Sequence, residues 1–399
     1  MKKYIVAKTL IDVAKSEQLK DQVIVIEDGK IATITPLSSI NSSEMNPDST
    51  YEVNYVLPGL IDCHNHLAFD LGSYEDGVDS MRQHTTYISL RVARNARKNL
   101  LSGVTTMRTC GEAEEIDFAY RRAINEWIVP GPRVLASGAP IGVTGGHWVP
   151  VTEQVDGPEA MRDAVRRRRR AGADFIKVMV SAGLGDIANF DCIMSEMTLE
   201  ELKAAVNEAK RWGKRTAAHA HGGQSLDFAI EAGITSVEHG TFATEEQLVK
   251  MAKNGQYLVA TVNFAKLYAD EGDKYGIPLY LQEKCKAGFE ASCKTMFKAN
   301  QLGVKIAIGQ DTNHGNLAGE MVSLVKYANL PVMDVLKSAT VIGAETCGLE
   351  NLTGTIAVGK FADIIGVDNN PIDDITALQK VCFVMKEGVL CLYNGQTFV

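Results

Sequence analysis

The sequence predicts an α/β protein: a TIM (β/α)8 barrel carrying a small β-sandwich built from both termini. Three observations predict it. Eight short apolar strands recur between residues 58 and 311, with helical patterns of a dozen or more residues between them. Those strands read as continuous apolar runs, as strands covered on both faces do. The two ends of the chain have a different texture, β-rich with tight turns. An open doubly wound sheet does not call for eight units, and no G-x-G-x-x-G follows the first strand.

Taken in order, "KYIVAKTLID", "DQVIVIEDGKIATITP" and "TYEVNYVLPG" are strand-like, with "EDGK" as a hairpin turn. The barrel strands are then expected at 58–68, 103–111, 132–138, 173–180, 215–221, 234–240, 256–262 and 304–311. Among the intervening helices, "TLEELKAAVNEAKRWG" opens on Thr198 with Glu201 three residues on, a capping box. "GKFADIIGVD" and "VCFVMKEGVLCLYNG" return to strands with a Gly-centred turn. The expected division is 1–57 with 353–399 for the sandwich, and 58–352 for the barrel.

The composition of the 399 residues, 45% hydrophobic and 23% charged, suits a large globular chain, and a net charge of −8 argues against general nucleic-acid binding. The run Arg166 to Arg170 ends the expected helix Pro158 to Ala171 and reads as a solvated outer face at the negative helix end. Eight scattered cysteines without Cys-x-x-Cys read as reduced thiols of a cytoplasmic protein. No apolar run is long enough to span a membrane, and "MKKYIVAKTLIDVAK" reads as a strand and not a signal peptide.

Reactive residues of such a barrel lie at the C-terminal ends of its strands. The first strand ends in "DCHNH", and His64 and His66, two apart, face one side. His219, His239 and Asp311 end the fifth, sixth and eighth strands, and Lys177 lies inside the apolar fourth, "ADFIKVMV". An ammonium there is expensive unless something compensates it. Any one of these residues alone reads as structural. His84, in the helical stretch "MRQHTTYISL", is such a case and is assigned no function. Together, imidazoles and a carboxylate at strand mouths suit zinc or a similar first-row metal.

At these residues the chain resembles the amidohydrolase superfamily, in its binuclear-metal branch. "VLPGLIDCHNH" and "VEHGTF" look like its characteristic strings, and "VTGGH", "AAHAHG" and "GQDTNHG" look closest to prolidase-like dipeptidases and imidazolonepropionase relatives. Gln310 departs from the threonine common before the aspartate. The resemblance implies that His64, His66 and Asp311 hold one divalent metal and His219 and His239 another. Lys177, its pKa lowered by burial, would add carbon dioxide and bridge both as a carbamate. It also implies a hydroxide nucleophile, Asp311 as general base and acid, and His147 of "TGGHW" as donor to the developing oxyanion. His221, Asn313 and His314 are candidate substrate contacts, and 181–197 and 263–284 read as loops that shape the pocket. Lys177 counts against the mononuclear imidazolonepropionases and the deaminases. The expected reaction is hydrolysis of a C–N amide in a dipeptide or N-acyl amino acid. A lactonase or phosphotriesterase is the enzymatic rival, and a non-catalytic scaffold the remaining reading. The expected partner is a small-molecule substrate, with neither nucleic acid nor membrane, and the resemblance suggests a homo-oligomer.

Overall fold

Tight turns organise the N-terminal strands. β1 (Lys3–Asp12) pairs antiparallel with β2 (Glu17–Glu27), and Asp28–Gly29 turns β2 into β3 (Lys30–Pro36). Both turn residues have positive φ, 48° and 79°, which matches the right-handed twist of the flanking strands. β4 (Thr50–Pro58) then runs parallel to β1. The computed structural model describes residues 2–41, 43, 45–69, 83–186 and 191–399.

Beyond β4 the strands become parallel. β5 (Leu60–Asn65), β6 (Val104–Thr109) and β7 (Arg133–Ala136) form one ladder. Two short strands, β8 (Ile141–Gly142) and β9 (Glu153–Gln154), lead into a second. It continues through β10 (Phe175–Met179), β11 (Arg215–Gly222), β12 (Ser236–Phe242), β13 (Tyr257–Ala260) and β14 (Lys305–Ile308). Each of the eight expected segments overlaps one of these strands, and every residue of β5, β6 and β10 is buried. Helices cover the sheets, as the apolar runs required.

The two ladders adjoin at both margins. At one, Asp311 N donates to His64 O (2.8 Å) and His66 N to Asp311 O (3.1 Å). At the other, Asp174 N donates to Ala136 O (2.8 Å). The pairing is thus two ladders joined by an isolated bridge at one margin and a hydrogen bond at the other; among the described residues no unbroken ladder runs around all eight strands. Gly309 sits at the first margin, where a Cβ would lie 2.4 Å from that of His64, so only glycine lets the strands approach.

Local signals set the helix ends. Thr198 and Glu201 form the expected capping box, and His84 caps the helix Thr85–Leu101 by accepting from Thr86 N. Residues 81–82 of its expected stretch lie outside the described residues. In the helix Pro158–Ala171 the arginine run is exposed at the helix end as expected, except at Arg168. Arg168 is buried, bonded to Ala139 O and paired with Glu115 and Glu153, while Arg166 pairs with Glu208 and Arg167 with Glu153. Segment 263–284 is also not a loop. It forms most of the helix Val262–Glu271, a 3-10 turn Gly272–Tyr275 and the start of the helix Leu279–Gln301.

At the C-terminus β15 (Ile364–Val367) pairs antiparallel with β4, followed by β16 (Val381–Lys386), β17 (Val389–Tyr393) and β18 (Gln396–Thr397). Both chain ends therefore share one eight-stranded sheet, ordered β18-β17-β16-β15-β4-β1-β2-β3. Ile5, Ile24, Ile31, Val53, Ile364, Phe383 and Met385 from both wings bury one apolar core. The whole is a mixed α/β protein. Among the described residues no helix is long and apolar enough to cross a membrane. All eight cysteines are free, seven of them buried and Cys382 half-buried.

Candidate metal centre

Strand ends bring the predicted ligands together. His64 is the last residue but one of β5 and His66 follows its end; His219 and His239 come from neighbouring β11 and β12, and Asp311 from the segment after β14. Asp62 ties the first and last of these down, accepting from His64 N (3.1 Å) and Gln310 N (3.2 Å). Burial pushes its carboxyl up to about 7 against those hydrogen bonds. His239 and Asp311 have φ of 73° and 60°, the left-handed region. Such a backbone costs about 1–3 kcal/mol per residue and persists where the surroundings demand it.

The protons of the first pair can be counted. His66 Nδ1 lies 2.9 Å from Gly111 O, a pure acceptor, so Nδ1 carries the hydrogen and Nε2 a lone pair. His64 Nδ1 lies 2.8 Å from a carboxylate oxygen of Glu238, so its Nε2 is also a lone pair. The two Nε2 atoms face each other at 3.2 Å, and Asp311 Oδ1 is 3.7 Å from that of His66. Three acceptors converge with no hydrogen between them. A cation fits that arrangement, and a hydrogen bond does not.

A second cluster lies beside it. His239 Nε2 is 3.0 Å from His219 Nδ1, and the other ring nitrogens reach Thr261 Oγ1 (2.6 Å) and Ala182 O (3.4 Å). Burial, reinforced by neighbouring positive charge, pushes the pKa of His64, His219 and His239 well below the ordinary histidine value and that of His66 to about 3. The imidazoles are therefore neutral, the form that binds metals. The nitrogen and oxygen atoms of His64, His239 and Asp311 lie within 4.8 Å of one another, as do those of His219, His221 and His239.

Lys177 projects from the middle of β10 and is 1% exposed, and its Nζ has no hydrogen-bond partner among the described residues. Burial lowers its pKa, against the pull of nearby groups that include Glu238 and Asp311. Burial likewise pushes the Asp311 carboxyl up to about 6.

His147 stacks on His219 with ring centroids 4.3 Å apart, and its Nδ1 is 2.8 Å from Asp186 Oδ2. Gly183 permits this, since a Cβ there would lie 2.4 Å from His147 Cε1. Both His221 nitrogens are engaged, Nδ1 with Thr241 Oγ1 (2.8 Å) and Nε2 as acceptor from Leu184 N (3.3 Å). His314 is buried, with Nε2 2.8 Å from Phe69 O and Nδ1 3.5 Å from Asn99 Nδ2. Asn313 is half-buried in the turn after Asp311. Gln310 bonds Asn99 Oδ1 (2.8 Å), so its amide anchors this loop. Of the segment 181–197, residues 187–190 lie outside the described residues.

The profile of the amidohydrolase family matches residues 55–391. The chain belongs to the amidohydrolase family. It is similar to ochratoxinase of Aspergillus niger, 32% identical over 410 residues that cover 94% of this chain and 83% of that one. It is also similar to imidazolonepropionase of Streptococcus sanguinis, 25% identical over 402 residues, covering 91% and 87%. A crystal structure of a Xaa-Pro dipeptidase with methionine bound in its active site matches with TM-score 0.89 and 33% identity, covering 99% of this chain and 100% of that one. This amidohydrolase is an enzyme, and family and relatives support metal-dependent amide hydrolysis.

Two charged residues of the amidohydrolase centre escaped the sequence reading. Glu238 reaches His64 with one oxygen. Its other oxygen accepts from Arg108 Nη2 (2.7 Å) and Ser236 Oγ (2.6 Å). Arg108 is fully buried and also donates to Cys63 O (2.6 Å), one residue before His64. The pair fixes the His64 tautomer and ring orientation. Both sit inside apolar strands, so the signal that drew attention to Lys177 was present for them too.

Proposed function

We propose that this amidohydrolase binds two divalent metal ions, zinc or a similar first-row metal, and cleaves the C–N amide of a dipeptide or N-acyl amino acid. The observation that carries the reading is the unpartnered Lys177 amine buried beside converging imidazole lone pairs and Asp311. His64, His66 and Asp311 would hold one ion and His219 and His239 the other, with Lys177 between. The neutral amine forms an N–C bond to carbon dioxide and releases a proton, leaving a carbamate anion suited to bridging. When bound, such ions acidify a water near neutral pH and polarise the scissile carbonyl.

The remaining work falls to side chains. Asp311 takes the proton of the attacking water and delivers it to the leaving nitrogen. His147, anchored at Nδ1 by Asp186, serves as the donor to the carbonyl oxygen as it gains charge. His221 holds the Leu184 segment over the site, and Asn313 and His314 shape its edge. The Xaa-Pro dipeptidase among the structural relatives supports the dipeptide choice. The same reading extends to architecture, with a closed (β/α)8 barrel over 58–352 and a sandwich over 1–57 and 353–399. The bridge at one strand margin and the hydrogen bond at the other support it.

The test is a screen of dipeptides and N-acyl amino acids with the zinc-loaded enzyme. Turnover releasing the C-terminal amino acid is expected. Uniform silence there, with turnover of lactones or phosphate triesters, overturns the substrate class.

A further inference from the structure

We propose that Lys284 is the cation that receives the free carboxylate of the substrate's C-terminal amino acid. The inference rests on the amide-hydrolase reading and gives that site its specificity. The helix Leu279–Gln301 crosses the strand-end face of the molecule. Its Thr295 Oγ1 donates to Thr241 O (2.9 Å), two residues past His239. Farther toward the helix start, Gly288 lies so close to Leu184 that a Cβ would sit 2.4 Å from Cδ2 of that leucine. Leu184 is the residue whose N–H bonds His221.

Lys284, Gly288 and Thr295 stand at i, i+4 and i+11, on one side of the helix. Lys284 is therefore one turn beyond Gly288, on the side of the helix that faces the segment carrying Leu184 and Asp186. Leu281 and Cys285 flank it in an apolar cluster shared with Leu184, Ala265 and Tyr268. Its charge helps to lower the pKa of His221 and of Asp186, which agrees with that placement.

The side chain is half-buried and has no hydrogen-bond or ion-pair partner among the described residues. Lys286 and Lys294 of the same helix also lack a partner among the described residues, but both are exposed to solvent, whereas Lys284 is half-buried; Lys266, Lys274 and Lys298 pair with Asp270, Glu271 and Glu245. A cation held at the rim of the site without a counter-charge is complementary to an anionic ligand. In a dipeptide or N-acyl amino acid the α-carboxylate lies two bonds from the scissile nitrogen, so it reaches the rim when the amide reaches the centre.

The experiment compares wild type, Lys284→Met and Lys284→Arg on the fastest dipeptide of the screen and on the same dipeptide as its carboxamide. Lys284→Met is expected to raise KM for the free acid about tenfold or more with kcat within about twofold, and Lys284→Arg to restore it. The wild-type preference for acid over carboxamide collapses in the Met variant. An unchanged KM for the acid in Lys284→Met, or equal wild-type KM for acid and carboxamide, overturns the assignment. Calorimetry with free methionine and methioninamide reads the same subsite without turnover: loss of the acid preference in Lys284→Met is expected, and equal binding of both by wild type overturns it. Absence of any amide turnover together with a Lys284-dependent acid preference would sink the hydrolase reading and leave the subsite standing.

Discussion

Lys177 and Lys386 are both 1% exposed, and burial lowers the pKa of both ammonium groups. Their surroundings differ. Lys386, in the terminal sheet, donates to Gly131 O at 3.0 Å and lies 4.8 Å from the centre of the Trp127 ring. A carbonyl and an aromatic face satisfy it. Lys177 has neither among the described residues, and its charge bears on His64, His66, His219, His239 and Asp311. Burial alone therefore does not mark a functional lysine. Burial without a partner does, because the fold then carries a penalty that something else must offset.

The largest expected effect separates the two directly. Lys177→Ala should lower turnover by about a thousandfold or more, with partial recovery on adding propionate. Lys386→Ala should leave kcat within about twofold and lower stability by about 2–3 kcal/mol, through a cavity and an orphaned carbonyl. Denaturant melts and steady-state rates measure both. Full activity of Lys177→Ala would sink the carbamate assignment.

A smaller effect tests whether partnered charges near the centre act on the metals or only on the fold. Glu238→Gln keeps the shape and removes the charge that orients His64. Zinc affinity, measured by competition with a chelator, should weaken about 10–100-fold. Unchanged affinity with reduced thermal stability would place Glu238 with Lys386 as structural.

The same distinction explains what the sequence disclosed. Apolar runs and strand-end histidines are local patterns, so the eight strands and the convergence of His64, His66, His219, His239 and Asp311 were legible. Arg108 in "GVTTMRTCG" and Glu238 in "ITSVEHG" carried the same mark as Lys177, a charge within an apolar strand. Their pairing was hidden because it crosses 130 residues. Arg168 was misassigned because the arginines were taken as a block. Met161, Ala164, Val165 and Arg168 follow i, i+3, i+4, i+7, the spacing of a buried helix face. Hairpin turns at both ends were visible, but the β4–β15 pairing that merges them spans some 300 residues and leaves no local trace.

The smallest effect concerns a buried group that is partnered, as Lys386 is, but lies close to the centre. The Thr261 hydroxyl at the start of the helix Val262–Glu271 is engaged by His239, so it caps no helix N–H. Glu320 takes over, accepting from Val262 N (2.6 Å) and Asn263 N (2.7 Å). Burial nevertheless pushes its carboxyl from 4.5 up to about 8. The folded state then keeps a proton that the unfolded chain releases. The contribution of Glu320 to stability is highest below about pH 4.5, falls as pH rises toward 8, and is flat beyond. Glu320→Gln retains an acceptor and cannot ionise, so the decline of its melting temperature between about pH 5 and 8 should be shallower than in wild type, with chelator present to remove metal linkage. Parallel curves would mean that the two helix N–H groups keep Glu320 ionised despite burial, and that hydrogen bonding outweighs desolvation even next to the centre.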